Sequence, residues 1–574
     1  MVIKHRIGVI MLMGGLCLAG TAQAAGPAAV PAPLPHTVEP GRQAPQPSLP
    51  PKGEFEFSFP EPYRTPMPRD VEGLHFTVRE IVVDGAVEVS PQELSPLTGE
   101  LVGKEVTLGD IIAVAERIEA KYREKGFLLV RAFVPPQKTR NGIFHITVVE
   151  GFIKTITVEG VDGGLRERLS NILTPIANDR PLRESTIERA MLLVNDMPGI
   201  KGVGLVRPSP DEPGAADLVV NIDRNRAEIV GSVDNRNSRY SGPWTLSTDA
   251  VTNSLFGQGE QLALGVTTSP DYVRQNDLRL RYLQPVGPLT LTSSVDRGHG
   301  LPGLDLREND VKTRSLIAGQ RVSFPVIRSR AVDLILDGGL SWKEATIDQR
   351  GQRLSTDRWW VVDAKVIWSQ SNWLNGVNSA VVGAARGLPG LGSAKATLPV
   401  GTAGGVTHEG DPQFTKLTLD LHRIQSISGP WSAYGAVGGQ YSFNRELAGE
   451  EFAMGSTQFG RGFDPAQVSG DHGLGETLEL RYDMRSQLLF NSNLQFYGFF
   501  DNGKVWNRSG HPPASDSPSS ANTYSDLTST GGGLRFAWDS GINANVELAH
   551  PLSGPRPTVN ADPIRPYFSI GFRY

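Results

Sequence analysis

From Ala227 to the C-terminus helix periodicity disappears and the sequence alternates apolar and polar residues with a period of two. "DLRLRYLQP" sets Leu278, Leu280 and Tyr282 opposite Arg279 and Arg281, and "KLTLDLHR" sets Leu417, Leu419 and Leu421 opposite Thr418, Asp420 and His422. "RPYFSIGFRY" ends the chain with Phe568, Ile570, Phe572 and Tyr574 opposite Ser569, Gly571 and Arg573. Each stretch reads as a strand with one apolar face and one polar, often charged, face. Alternation of this kind also suits a soluble sandwich. Scale separates the two: roughly 350 residues of strand and turn, without helix periodicity, suit a closed transmembrane barrel facing lipid outside and water inside. At about 22 residues per strand and turn, the segment predicts around sixteen strands, enough to leave an aqueous channel. Closure is obligatory, because an open edge finds no hydrogen-bond partners in hydrocarbon.

Phe76 to Arg224 carries a different, repeated pattern. "FTVREIVVDG" predicts a strand, "SPQELSPL" a short helix with Ser90 as N-cap and Pro91 in its first turn, and "TLGDIIAVAERIEAKYREKG" a helix ending at Gly126. That second helix gathers Leu108, Ile111, Ile112, Ala115, Ile118 and Tyr122 on one face. "FLLVRAFVP" and "GIFHITVVEG" close the unit as two strands. The order recurs in "FIKTITVEG", "LRERLSNIL", "STIERAMLLVNDMPG", "GVGLVRPS" and "ADLVVNIDR". Two tandem α+β modules are therefore expected, over 71–150 and 151–224, before a barrel over 225–574. Their exposed sheet edges can accept an extended peptide as an added strand.

The N-terminus changes the compartment. Lys4, His5 and Arg6 precede an apolar run and Ala22-Gln23-Ala24, the layout of a secretory signal peptide over 1–24. Residues 25–70 are dense in proline and read as a tether. The one cysteine, Cys17, lies in the signal, which excludes disulfides and cysteine catalysis in the mature chain. With 574 residues, 20% of them charged, and a net charge of -5, the chain is multi-domain and has no nucleic-acid signature. No H-E-x-x-H, G-x-S-x-G or P-loop occurs; "HEGDP" lacks a second histidine and "GVGLVRP" lacks a further glycine. Neither catalysis, a cofactor nor a metal is expected.

Several separated stretches resemble one family in order along the chain: "KGFLLVRAFVPPQKTRNGIFHITVVEGFI", "PLRESTIERAMLLVNDMPGI", "SVDNRNSRYSG", "FGRGF" and "FYGFFDNGKVW". They resemble the transporters of two-partner secretion (the TpsB family), in the POTRA-plus-barrel superfamily. The resemblance implies a sixteen-stranded outer-membrane pore with two periplasmic POTRA domains. Its client would be a large secreted polypeptide of the adhesin, haemolysin or cytolysin type. Relatives commonly begin with a plug helix; residues 26–70 are too rich in proline for a long one, which puts a plug here in doubt.

The resemblance also implies a site. Read alone, Arg461 is a solvated loop cation. In the family, the arginine of this glycine-flanked motif sits at the tip of a long loop folded into the barrel, against the aspartate of the F-x-D-x-G stretch. Carried over, Arg461 meets Asp501, with Gly503 beside it on the wall. Parity alone already turns Asp501 inward with Gln495, Tyr497 and Phe499. Gly460 and Gly462 fit a tight loop tip, and Phe463 an apolar latch. A pair in a wet channel is partly screened, worth on the order of 1 kcal/mol. Glu476 is added as a further partner on sequence proximity alone, and Asp234, Asn235 and Arg236 read as a structural corner where the barrel begins. Two rival functions stand beside export: a factor that inserts other barrels, which would share the architecture but commonly carries more POTRA copies, and a passive porin, which would lack the modules.

Overall fold

The computed structural model describes residues 57–58, 75–138, 141–209, 212–390, 392–393, 410–486, 492–508, 514–515, 524–555 and 563–574. The expected signal peptide, the doubtful plug, and all of the tether except Phe57 and Ser58 lie outside the described residues. The chain divides into two compact units, one centred on the modules (Gly53–Asn225 with Phe256–Gly259) and one on the barrel.

After β1 (Phe57–Ser58) come β2 (His75–Thr77), β3 (Glu80–Asp84), α1 (Pro91–Gly99), β4 (Glu105–Thr107), α2 (Leu108–Glu124), β5 (Arg131–Phe133) and β6 (Ile143–Val149). β3 lies parallel to β6, and β5 antiparallel to it. The single strand expected over 76–85 is split. Val78 bonds to the backbone around β4 while Arg79 turns to Gly142, so the chain changes partners between β2 and β3. α2 begins with a capping box: Asp110 N–H donates to the Thr107 hydroxyl, and Thr107 N–H to the Asp110 carboxylate. Its Ile111, Ala115, Ile118 and Tyr122 are buried, as their spacing expects. Ser90 precedes α1, but its hydroxyl donates to Glu93 and caps no backbone group. β5 is shorter than expected because Leu128 and Leu129 leave the first sheet and pack on the core of the second module.

The second module runs β7 (Phe152–Glu159), α3 (Gly163–Asn178), α4 (Glu184–Asn195), β8 (Ile200–Pro208) and β9 (Ala215–Arg224). β7 and β9 are parallel, β8 and β9 antiparallel. Leu165, Leu169, Leu173 and Ile176 of α3 meet Ile187, Met191 and Val194 of α4 over Leu218 and Val220 of the sheet. The four-residue spacing along α3 puts its leucines on one face.

The barrel consists of β10 (Ala227–Asp234), β11 (Thr245–Asn253), β12 (Gln261–Thr268), β13 (Gln275–Val286), β14 (Leu289–Gly300), β15 (Lys312–Arg328), β16 (Val332–Gln349), β17 (Gln352–Trp373), β18 (Gly376–Leu388), β19 (Thr415–Ser428) and β20 (Trp431–Ser442), a helix α5 (Asp305–Glu308) interrupting one loop. After β21 (Phe452–Met454) and β22 (Val468–Gly470) in a loop, it continues as β23 (His472–Ser486) and β24 (Ser492–Trp506). β25 (Ala514–Ser515) joins β22, and β26 (Tyr524–Ala537), β27 (Ile542–Ser553) and β28 (Arg565–Arg573) complete the wall. Without its three loop strands the set closes into a sixteen-stranded barrel. The seam is antiparallel, from Val230↔Arg573 to Asp234↔Ser569.

Parity decides what each side chain faces. Leu278, Leu280, Leu417, Leu421, Phe568, Ile570 and Phe572 are exposed on the outer surface, a continuous apolar face that water would not tolerate but lipid does. Trp373 and Trp431 are exposed at the short-turn end, and Trp244, Tyr441 and Tyr524 at the long-loop end, as expected of aromatic girdles. Leu340, near the middle of β16, is 43% exposed on this face. Leu340→Arg is expected to cost about 2–4 kcal/mol of folding free energy in lipid vesicles, read by denaturant titration; a cost near zero would place this face in water.

A charged latch inside the barrel

The loop between β20 and β23 spans residues 443–471 and turns inward. β21 and β22 pair as a hairpin (Phe452↔Gly470 to Met454↔Val468), leaving 455–467 as its tip. Short backbone bonds hold that tip: Gly455 N–H to Phe459 O (2.8 Å), Phe463 N–H to Gly460 O (3.0 Å) and Gln467 N–H to Asp464 O (3.1 Å). Gly460 takes φ +87°, a conformation that favours glycine. Gly462 is different: its backbone is ordinary, but a Cβ there would come within 2.8 Å of Pro551 N and 2.9 Å of Ser529 Cβ. Its small size serves close approach to the wall.

Apolar side chains seat the tip. Phe463 is buried with Met454, Phe459, Val468, Val505 and Leu527. Wall glycines make the floor: a Cβ on Gly438 or Gly475 would meet the Phe459 ring at 2.6 Å, and one on Gly503 would meet Met454 Sδ at 2.4 Å. Gly503 therefore serves the loop through Met454.

Arg461 lies between two glycines and reaches the wall. Its backbone N–H donates to Asp501 Oδ2 (2.9 Å), Nε to the same oxygen (3.0 Å) and Nη2 to Oδ1 (2.7 Å). Nη1 donates to Glu479 Oε1 (2.6 Å), and Nη2 also to Thr477 Oγ1 (2.8 Å). The guanidinium stacks 3.6 Å from the centre of the Phe499 ring. Asp501 additionally accepts from Thr477 (2.5 Å) and Ser529 (3.2 Å). Arg461 is 3% exposed and Asp501 0%, so the pair is out of contact with channel water. That corrects the screened pair expected from sequence: a fully desolvated pair makes strong local bonds and is costly to break.

The network extends beyond the sequence-derived set. Glu479 also accepts from Arg481 (2.7 Å) and Arg535 (3.1 Å). Glu547 lies 3.7 Å from Arg461, and accepts from Arg236 (3.0 Å) and the Tyr497 hydroxyl (2.6 Å). Arg461, Arg481, Arg535 and Arg236 thus share Asp501, Glu479 and Glu547, and each guanidinium has an aromatic face beside it: Phe499, Tyr434, Tyr497 and Tyr567 respectively. The ring quadrupoles offset the unmatched positive charge.

Glu476 is not in this network. It shares parity with Leu474, Leu478 and Leu480, is exposed on the outer side, and accepts from Asn502 (3.1 Å). Glu479, three residues on and therefore on the opposite face, takes the role assigned to it. At the corner, Asp234 accepts from Arg236 N–H (3.0 Å), and Asn235 bridges the seam to Pro566 O (3.0 Å) and Phe568 N–H (2.6 Å). Arg236 goes further than a corner residue, since it joins the network through Glu547.

Two more anchors lie along the same loop. Asp464 accepts from Arg239 (2.5 Å), in the connection after β10, and from Arg565 (2.6 Å) of β28, so it ties both sides of the seam. Glu450 accepts from Lys343 (2.6 Å) and Trp359 Nε1 (2.9 Å) and pairs with Lys416 (2.8 Å), on β16, β17 and β19. The loop is thereby fastened to three separate arcs of wall.

A family model described as haemolysin secretion/activation protein ShlB/FhaC/HecB matches residues 214–536, and one described as a ShlB-type POTRA domain matches 76–151. The heme/hemopexin transporter protein HuxB of Haemophilus influenzae is 24% identical over 519 residues, covering 88% of this chain and 89% of its own. Among solved structures, CdiB from Escherichia coli superposes with a TM-score of 0.66 at 20% identity, covering 90% of this chain and 94% of that one. BamA from Haemophilus ducreyi, lacking POTRA domains 1–3, gives 0.53 at 14%, covering 87% and 100%. A barrel closed by sixteen strands, preceded by a POTRA region and matched over more than half its length, belongs to the ShlB/FhaC/HecB haemolysin secretion/activation family, the outer-membrane transporters of two-partner secretion.

Proposed function

We propose that the chain exports one class of client. A large unfolded polypeptide of the adhesin, haemolysin or cytolysin type binds the POTRA domains in the periplasm and crosses the barrel to the cell surface or medium. The division that serves this is 71–150 and 151–224 for the two POTRA domains and 225–574 for the pore. Arg461 with Gly460, Gly462 and Phe463 forms the latch, Asp501 and Gly503 its seat. The observation that carries the reading is the loop held inside the closed barrel by a buried charge network: a passive channel has no use for so heavily fastened an obstruction, whereas a conduit for chain needs one that is either seated or moved. The relative HuxB is described as a transporter of heme/hemopexin, which supports a secreted or surface-acting client. Absence of catalysis is part of the proposal, supported by the lack of nucleophile, metal and nucleotide motifs in the sequence. With no nucleotide-binding loop, the bias for export comes from the client's own folding outside.

The test reads the open reading frames beside the gene for a large exported polypeptide and co-expresses it with the chain. That polypeptide should reach the surface only when the chain is present, while the other outer-membrane barrels keep their levels. Depletion of many barrels on loss of the chain would instead favour an assembly factor, a reading that the BamA-like fold keeps in view.

A further inference from the structure

Strands β14 to β17 carry a band of charge on the outer wall, just beyond the apolar belt. Directly opposed residues of an antiparallel pair share a face. Arg297 stands opposite Leu278 and Leu316, and Leu278 is exposed on the lipid-facing surface, so Arg297 points outward as well. The same row continues through Glu344 and Arg358, and the next row toward the long loops holds His299 and Arg314. One row below, Trp342 pairs with Trp360 on the same face. Ten residues of β16, 332–341, precede Trp342; at the tilt of a barrel strand they rise about 25 Å, the height of the apolar band of such barrels. The tryptophan pair therefore marks the outer rim of the hydrocarbon, and the cations stand at the level of the lipid headgroups.

Carboxylates arrange these cations without cancelling them. Arg358 Nε donates to Glu344 (2.6 Å), Arg353 Nε to Asp348 (2.5 Å) and Lys312 Nζ to Asp310 (3.1 Å), while Arg314 Nη2 lies 3.4 Å from the second oxygen of Asp348. Arg297 has no carboxylate partner among the described residues. Five cations thus face three carboxylates, and Arg297, Arg314 and Arg358 are exposed. The surplus is positive on a chain whose net charge is -5. On β23, β24 and β26 the outward charges are Glu476, Lys504 and Asp526, a surplus of the opposite sign. Positive charge is therefore a feature of this stretch of wall and not of the rim as a whole.

We propose that the outer wall of β14 to β17, above Trp342 and Trp360, binds the phosphate groups of an anionic glycolipid of the outer leaflet. Guanidinium groups make paired, charge-assisted bonds to phosphate oxygens, and basic clusters at a membrane surface hold anionic headgroups. The acyl chains of the same lipid lie on the apolar wall below, over Val295 and Leu340, both exposed on that face. A free phosphate lacks this second contact.

The full-length chain, folded in detergent, is titrated with diphosphoryl lipid A and with its dephosphorylated form, and binding is read by native mass spectrometry. Arg297→Gln with Arg314→Gln removes two charges and leaves Asp348 paired with Arg353. A cation near a lipid surface contributes about fivefold in affinity, so the double variant should bind the phosphorylated lipid about 25-fold more weakly and the dephosphorylated lipid unchanged. Arg297→Lys with Arg314→Lys keeps the charge and should stay within about fivefold of the unmodified chain. Lys504→Gln, on β24, should bind as the unmodified chain does. Single-channel conductance at the unmodified level identifies each variant as a folded barrel. Equal binding of the two lipids by the unmodified chain overturns the proposal, as does a folded glutamine pair that binds as tightly as the unmodified chain. A loss in Lys504→Gln as large as that of the glutamine pair, or displacement of the lipid by equimolar inorganic phosphate, overturns it too.

Discussion

Arg461→Ala is expected to unseat the lumenal loop and raise single-channel conductance in planar lipid membranes, while export of the partner falls. The substitution removes four side-chain hydrogen bonds, to Asp501, Glu479 and Thr477, and spares only the backbone amide's bond to Asp501. It leaves Asp501, with 0% exposure, without a cation of its own. Removing one member of a buried pair costs about 3–5 kcal/mol, because the other charge stays behind in a site built for two. Set against the docked loop, that is a shift of about 10² to 10⁴ in the docked-to-free ratio. Arg461→Lys should fall between: an ammonium keeps the charge but cannot make the fork to both Asp501 oxygens while stacking on Phe499. Glu476→Gln serves as the contrast, since Glu476 lies on the outer face and should leave conductance unchanged. Conductance and export both at the unmodified level in Arg461→Ala would mean that the loop is held by Glu450, Asp464 and its apolar contacts alone, and the latch would lose its meaning.

Strand-level structure was legible because each barrel strand obeys one local rule. Parity along 495–501 turned Asp501 inward, and the same rule put Leu278, Leu417 and Phe568 outside. The same rule separates Glu476, outward, from Glu479, inward. What local pattern could not supply was partnership. Arg461 and Asp501 are 40 residues apart, Arg236 and Glu547 are 311, and no periodicity links them. The first pair came from resemblance to a family; the second had only the signal that Glu547 stands between outward Val546 and Leu548.

Burial was the other thing hidden from the sequence. A barrel of this size suggested a wet lumen and screened charges, but the loop fills its own stretch of lumen with Phe459, Phe463 and Met454 and excludes water from the cluster. In the modules the misses were tertiary too. "FLLVRAFVP" has strand propensity throughout, yet Leu128 and Leu129 gain more by packing on the second core than by extending β5.

Deleting Phe76 to Arg224 should abolish export and leave a conducting barrel. The wall closes on itself: β10 pairs with β28 through residues 230–234 and 569–573, so no strand of the modules is needed to satisfy its edges. The charge network likewise draws only on residues from Arg236 onward, and the latch should therefore still seat. What disappears is every sheet edge of the two modules that could capture an extended client. An export signal at background, with heat-modifiable barrel present in the membrane and conductance close to that of the full chain, is the expected combination. Export that persisted would show that the barrel recognises its client without the modules. Loss of both export and folded barrel would show instead that the modules are needed to build the pore, which the conductance and heat-modifiability measurements distinguish from a failure of recognition.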